Sequence, residues 1–322
     1  MSFDLITSGY PGIDHILPVD RAPQPGETGV ILQAPRFDVP MVGGCAANIA
    51  VAGARLGLRT AVVILVGDDP DGTLLVEQLN TEGVDTQFGV HCVPGGHTAQ
   101  SFLFVDSQNR HQTFYFPGVS NRADIPIQLD TDQLSGSKWG AITVGDAVHN
   151  RTVIDLLAAS EVSILWSHKN DVQAFPKRIV EKLAQVSEIA VFNKHEARAV
   201  EKMMGLSSID ELLKGKPDAI ILTRGKKGSR VITPDREIDV PAVPPGRLVD
   251  PTGAGDGFCA GLLFGLIHDL PLQTGCRIGA VVASFVLEDW GCQTNLPTLE
   301  KVKTRYLDTF GEDLPVNGAP QR

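Results

Sequence analysis

The stretch Arg247–Leu266, RLVDPTGAGDGFCAGLLFGL, places a carboxylate inside a turn suited to anions. An apolar lead ends at Asp250, and Gly253, Gly255 and Gly257 then crowd around Asp256 ahead of an apolar, small-residue helix. Glycine allows tight backbone approach and unusual dihedrals. The amides of Gly253, Ala254 and Gly255 can therefore converge on one point. A helix starting near Gly255 adds its dipole there, an arrangement that stabilises charge developing on a transferred phosphoryl group. Asp256 reads in two ways. It is an ordinary N-terminal acid on a helix packed through Gly257 and Gly261, or it takes a proton from an attacking hydroxyl, help worth typically ~10²–10⁴ in rate. Spacing does not choose between them.

Around this stretch, short apolar runs alternate with helical patterns. DLITSG (4–9), TAVVILVG (60–67), AITVG (141–145), VSILW (162–166), IAVF (189–192) and AIILT (219–223) read as strands. Their runs are continuous rather than alternating, as in a parallel sheet covered on both faces. CAANIAVAGARLG (45–57) and DGTLLVEQLNTEG (71–83) read as helices, each stopped by a glycine. After the first strand comes a Pro/Gly-punctuated stretch to about residue 40. Two segments, 27–42 and 98–116, alternate apolar and polar residues like half-exposed antiparallel strands and predict a small flap beside the main sheet. The predicted organisation is one α/β domain over 1–310, with lid segments at about 10–42 and 94–120 and a flexible tail over 311–322.

Bulk properties exclude several classes. A net charge of −10 argues against a nucleic-acid surface, which needs clustered Lys and Arg. No apolar window approaches the roughly 18 residues of a membrane span, and the N-terminus lacks a signal-peptide pattern. The five cysteines are scattered, with no CxxC pair or zinc spacing, as expected of reduced thiols in a cytoplasmic protein. There is no GxxxxGK[ST], GxSxG, HExxH or early GxGxxG, which removes P-loop kinases, common hydrolases, zincins and simple Rossmann dehydrogenases.

Three further stretches have the residue types for chemistry. In PMVGGCAANIAVAGARLGL, from Pro40, Gly43 and Gly44 let a ligand approach the backbone, and Asn48 supplies a donor and an acceptor one turn into the helix. The alternative is a tight turn into a helix packed through Ala46, Ala50 and Ala54. In VFNKHEARAVEKM (191–203), Asn193 and Glu196 have capping-box spacing. Glu196 otherwise serves a hydrated Mg²⁺, an ion that keeps several waters and takes few carboxylates. LTRGKKGSRVI (222–232) is a turn between strands, whose glycines border a nucleotide or close a plain hairpin.

Taken in order, these stretches resemble the ribokinase-like (PfkB) carbohydrate kinase family. GGCAANIAVAGARLG (43–57) is similar to its N-terminal signature and VDPTGAGDGFCAGLL (249–263) to its C-terminal one. VGDDPDG (66–72), FYFPGVSN (114–121), NKHE (193–196) and TRGKKGS (223–229) fall between them in the family's order. The resemblance implies a ribokinase-like fold, a mostly parallel central sheet between helices with a small β-sheet lid. It implies an ATP-dependent kinase that phosphorylates a hydroxyl of a sugar or sugar-like substrate. A nucleoside kinase, or a catalytically silent relative that only binds ligand, is the alternative. By motif position Asp256 is the base, and Gly253, Ala254 and Gly255 form the anion hole. Asp14, Gly43, Gly44 and Asn48 hold the substrate, while Asn193, Glu196, Thr223, Gly225 and Gly228 serve ATP and Mg²⁺. Asp250 and carbonyls within 287–292 are candidate ligands of K⁺. Ribokinases proper carry a lysine where this chain has Cys45, and LWSHKND (165–171) lacks the usual Asp/Asn-Pro pair. Arg36, Arg110 and Lys169 are candidate phosphate-binding bases, and Phe37, Phe102, Phe104, Phe114 and Phe116 either stack a base or build a lid dimer.

Overall fold

The computed structural model describes residues 2–24, 26–33, 41–106, 108 and 111–316, with only the backbone of His111. The chain opens with strands β1 (Leu5–Ser8), β2 (Gly12–Pro18) and β3 (Met41–Gly43). Helix α1 (Cys45–Arg55), β4 (Thr60–Gly67), α2 (Pro70–Thr81), β5 (Val90–Val93), β6 (Gln100–Val105) and β7 (His111–Phe116) follow. Next come α3 (Thr131–Leu134), β8 (Trp139–Ile142), α4 (Ala147–Ala159), β9 (Ser163–Ser167), α5 (Lys177–Val186), β10 (Ile189–Asn193) and α6 (Lys194–Met204). Strands β11 (Ala219–Thr223), β12 (Ser229–Ile232) and β13 (Glu237–Val240) lead to α7 (Ala254–Ile267), α8 (Leu272–Val286) and α9 (Leu299–Phe310).

Among the described residues one sheet has the order β13-β12-β11-β10-β9-β8-β1-β4-β5. Pairing is parallel from β11 through to β5 and antiparallel at the β12–β13 edge. Continuous apolar strands are the reason both faces are covered. In β4, Val62, Ile64 and Val66 enter a core shared with α1, α2, α7, α8 and α9. Its Ala61, Val63 and Leu65 enter a second core with α4, α5 and α6 on the other face. Helices α7 and α8 lie unusually close because glycines face each other. A methyl group on Gly261 would come within 2.7 Å of Gly279 Cα, and one on Gly265 within 2.6 Å of Gly275 Cα.

The second sheet, β3-β2-β6-β7, is the flap. The 98–116 segment forms β6 and β7, paired antiparallel. The other expectation needs correction. Within 27–42 only β3 at the far end is a strand, apart from a single bridge at Ile31, and residues 34–40 lie outside the described residues. The flap's second segment is instead β2, from the stretch read as Pro/Gly-punctuated, and it pairs parallel with β6. Its signal is weak locally because Pro11 and Pro18 bracket it and its partner lies far along the chain. Strand β8 also begins two residues earlier than AITVG suggests. At the C-terminal end Leu314 is buried in the core, and residues 317–322 lie outside the described residues.

Candidate active site

The C-terminal ends of β9, β10 and β11 and the start of α7 converge beside the point where strand order reverses between β1 and β8, the usual crevice of an open α/β sheet. Gly253 is the N-cap of α7 with φ +77°, and a methyl group there would lie 2.7 Å from Cys292 Cβ. Only glycine fits. No side chain caps this helix, and the amide of Ala254 donates to Pro251 O at 3.3 Å, which leaves the amides behind it in the first turn for another acceptor. Asp256 falls in the first turn and is 3% exposed. Its Oδ2 accepts a 2.9 Å hydrogen bond from Asn48 Nδ2, and its Oδ1, without a hydrogen bond, lies 3.4 Å from Lys169 Nζ. A methyl group on Gly255 would meet only that ammonium, at 3.7 Å. The charge of Asp256 above all holds Lys169 well above the usual lysine range.

Lys169 thus stands at the anion turn from the far end of β9. Sequence reasoning had offered it only as a phosphate-binding base. Burial, followed by the Asp256 charge, pushes the Cys45 thiol up. Where the resemblance places a ribokinase lysine, this chain brings an ammonium in from another element. The other two candidate bases, Arg36 and Arg110, lie outside the described residues, as does Phe37.

Asp14 projects from β2 opposite Ser101 of β6 and is 7% exposed. Burial first of all raises its carboxyl to about 6, against hydrogen bonds from Ser101 and Cys292 that lower it. Cys292 Sγ donates to Asp14 Oδ2 at 3.7 Å. A methyl group on Gly43 would lie 2.0 Å from the same oxygen. Gly44, at φ +92°, is the N-cap of α1 and turns the chain under Tyr10 and Pro11. Asp14, Gly43, Gly44, Asn48 and Asp256 therefore share one neighbourhood. The loop residue Gln293 escaped sequence reasoning; its Nε2 donates to Asn48 Oδ1 at 2.9 Å.

The flap aromatics divide by face. Asp14 pairs with Ser101 and Ser101 with Tyr115, so these three share the face toward the site. Tyr115 packs against Tyr10 with ring centroids 5.1 Å apart. Phe102, Phe104, Phe114 and Phe116 have the opposite parity. Base stacking by these phenylalanines is thereby corrected, and the site-facing rings are tyrosines.

At the end of β10, Asn193 and Glu196 form a complete capping box: Asn193 Oδ1 accepts from His195 N and Glu196 N, and Asn193 N donates to Glu196 Oε2 at 2.6 Å. Burial raises the Glu196 carboxyl, which also feels the charges of Lys169 and Asp256. Thr223 is the register partner of Asn193. Gly225, at φ +55°, borders open space, while Gly228, at φ +79°, packs against Val240 O. The 222–232 stretch is therefore a hairpin with one open rim. Among the described residues no cluster of three His, Cys, Asp or Glu could hold a metal by itself. A single buried carboxylate fits an ion that brings its own water and phosphate ligands.

Asp250 is fully buried and occupied. Thr252 N and Oγ1 donate to its Oδ1 at 2.9 and 2.6 Å, and Gly291 N donates to Oδ2 at 3.0 Å. Nearby, Phe285 O accepts from Asn295 Nδ2, Leu287 O from Val249 N and Glu288 O from Arg247 Nε. These hydrogen bonds clasp the loop to Asp250, and a carbonyl has a second lone pair beyond the one used here.

Residues 12–299 match the family model for pfkB family carbohydrate kinase. A nucleoside kinase of Methanothermobacter thermautotrophicus is 29% identical over 315 residues, covering 97% of this chain and 98% of that protein. The crystal structure of Methanocaldococcus jannaschii nucleoside kinase superposes with a TM-score of 0.82 at 28% identity, covering 95% of this chain and 99% of that one. The fold is shared by Burkholderia thailandensis nucleoside kinase in complex with inosine, at a TM-score of 0.86 and 23% identity over 96% of this chain and 99% of that one. The chain belongs to the pfkB family of carbohydrate kinases, phosphotransferases that act on a hydroxyl group.

Proposed function

We propose that this chain transfers the γ-phosphoryl group of ATP to a hydroxyl of a free sugar or a nucleoside, with Asp256 as general base. One observation carries this reading. A buried carboxylate with an unbonded oxygen sits in the first turn of a helix that no side chain caps, and an ammonium stands over the same turn. The acceptor hydroxyl would give its proton to Asp256 Oδ1. The Gly253–Ala254–Gly255 turn and Lys169 would receive the charge that develops on the phosphoryl group. Asp14 and Asn48 would orient the acceptor, with Gly43 and Gly44 keeping the floor open. Asn193, Thr223, Gly225 and Gly228 would border ATP, and Glu196 would hold Mg²⁺ through water. That ion would offset phosphate charge while ATP is bound. The nucleoside arm draws support from the site-facing Tyr10–Tyr115 pair, whose rings suit a base, and from the relatives' names.

The flap's outward phenylalanines support a homodimer, with Phe114 63% and Phe116 47% exposed. The free cysteines support a cytoplasmic setting. Among the described residues no helix is long and apolar enough to cross a membrane.

The test is ATP-to-ADP conversion by purified protein against inosine, adenosine, ribose, fructose, sugar acids and sugar phosphates, run with Asp256→Asn alongside. Turnover with one of these acceptors, lowered at least ~10²-fold in the variant while ATP binding persists, is the expected result. A variant as active as the wild type removes the base assignment. No turnover with any acceptor transfers the weight to a silent ligand-binding protein.

A further inference from the structure

We propose that Gln293 is a positioning residue for phosphoryl transfer, acting on Asp256 through the side-chain amide of Asn48; this rests on Asp256 being the base. Three consecutive loop residues each reach a different buried carboxylate, Asp250, Asp14 and Asp256. Gly291 N donates to Asp250, Cys292 Sγ donates to Asp14, and Gln293 reaches Asp256 by way of Asn48. Gln293, Asn48 and Asp256 are 7%, 4% and 3% exposed, so water does not compete for their hydrogen bonds.

The chain of bonds has a forced direction. An ionised carboxylate only accepts, so Asn48 must turn its NH₂ toward Asp256 Oδ2, at 2.9 Å. Its carbonyl oxygen then faces the loop and needs a donor, which Gln293 Nε2 supplies at 2.9 Å. Gln293 Oε1 has no partner, so the residue is held here by its donor end. Without Gln293, the Asn48 amide is fixed at one end only. Asp256 Oδ2 is thereby anchored, and Oδ1, which lacks a hydrogen bond, is the oxygen left for the acceptor hydroxyl.

The test compares Gln293→Glu and Gln293→Met, alone and combined with Asn48→Ala, at pH 8 with the acceptor turned over fastest in the panel above. An ionised glutamate cannot donate. Asn48 then faces a carboxylate at each end and can turn its NH₂ to only one of them, so its hold on Asp256 Oδ2 is weakened. The expected result is a kcat about 10- to 100-fold lower for Gln293→Glu, the scale of a hydrogen bond to a charged group. Gln293→Met should lose less, and KM for ATP should stay within about twofold in both. In the Asn48→Ala background, Gln293→Glu should cost less than about twofold more, since its route to Asp256 is gone. If Gln293→Glu does not fold, the Gln293→Met cycle carries the same comparison. Wild-type kcat in both variants, or a full loss that persists without Asn48, overturns the proposal. So does a loss confined to acceptor KM, which would make Gln293 a direct substrate contact. Asp256→Asn separates the two levels. If it is inactive while Gln293→Glu is normal, only this inference fails; if it is active, or no acceptor is turned over, the underlying reading falls and takes this inference with it.

Discussion

Asp14 illustrates how a buried functional carboxylate acts against stability. Its carboxyl is raised to about 6, chiefly by burial, above the ~3.9 of an unfolded aspartate. Between those values the folded chain holds more protons than the unfolded one. Stability contributed by this group is therefore present at low pH and lost as pH rises from about 4 to about 6. Asp14→Asn is expected to be more stable than the wild type at pH 7, by up to about 3 kcal/mol, with the gap closing below pH 4. Thermal or urea unfolding at both pH values checks this, and a variant less stable at pH 7 would refute it. The same substitution should raise acceptor KM, because an amide replaces a charged acceptor of hydroxyl protons. Lys169 makes the complementary case. Lys169→Met should lower kcat about 10²-fold, the scale of one lost charge-stabilising donor, while Lys169→Arg keeps more of it; single-turnover kinetics would separate this from weakened ATP binding. Asp256 was legible from its glycines. Lys169 was visible only as a spare base, and Gln293 carried no local signal at all.

Helix α7 carries Asp256 but owes its placement to α8. Gly261→Ala would drive a methyl group to 2.7 Å from Gly279 Cα, and backbone cannot step aside as a side chain can. Overpacking of this kind typically costs about 1–3 kcal/mol. A shifted urea midpoint together with reduced kcat is expected; an unchanged midpoint would mean that the helices separate freely. Elements with complete local signals were legible: β4 and β11 to the residue as apolar runs, and the start of α6 in its capping-box spacing. Strand β2 was not, because prolines bracket it and pairing with the distant β6 stabilises it.

Across the whole molecule, the flap has two faces with different jobs. Asp14, Ser101 and Tyr115 look inward, while Phe114 and Phe116 look out from its edge strand β7. Sedimentation is expected to find a dimer that Phe114→Glu converts to monomer; a monomeric wild type would leave the outward face without that role. The parallel sheet and the anion turn were open to inspection in the chain alone, because continuous apolar runs, glycine dihedrals and helix caps are set within a few residues. Which groups meet was not. Asn48 and Asp256 lie 208 residues apart, and Lys169 and Gln293 reach them from two further elements. No periodicity records such encounters, since they depend on how strand order and helix packing bring distant segments together. Local chemistry marked Asp256 as one of two things, a cap or a base; the folded chain added the ammonium, the amide relay and the unbonded oxygen, because only packing decides which donors reach a buried carboxylate.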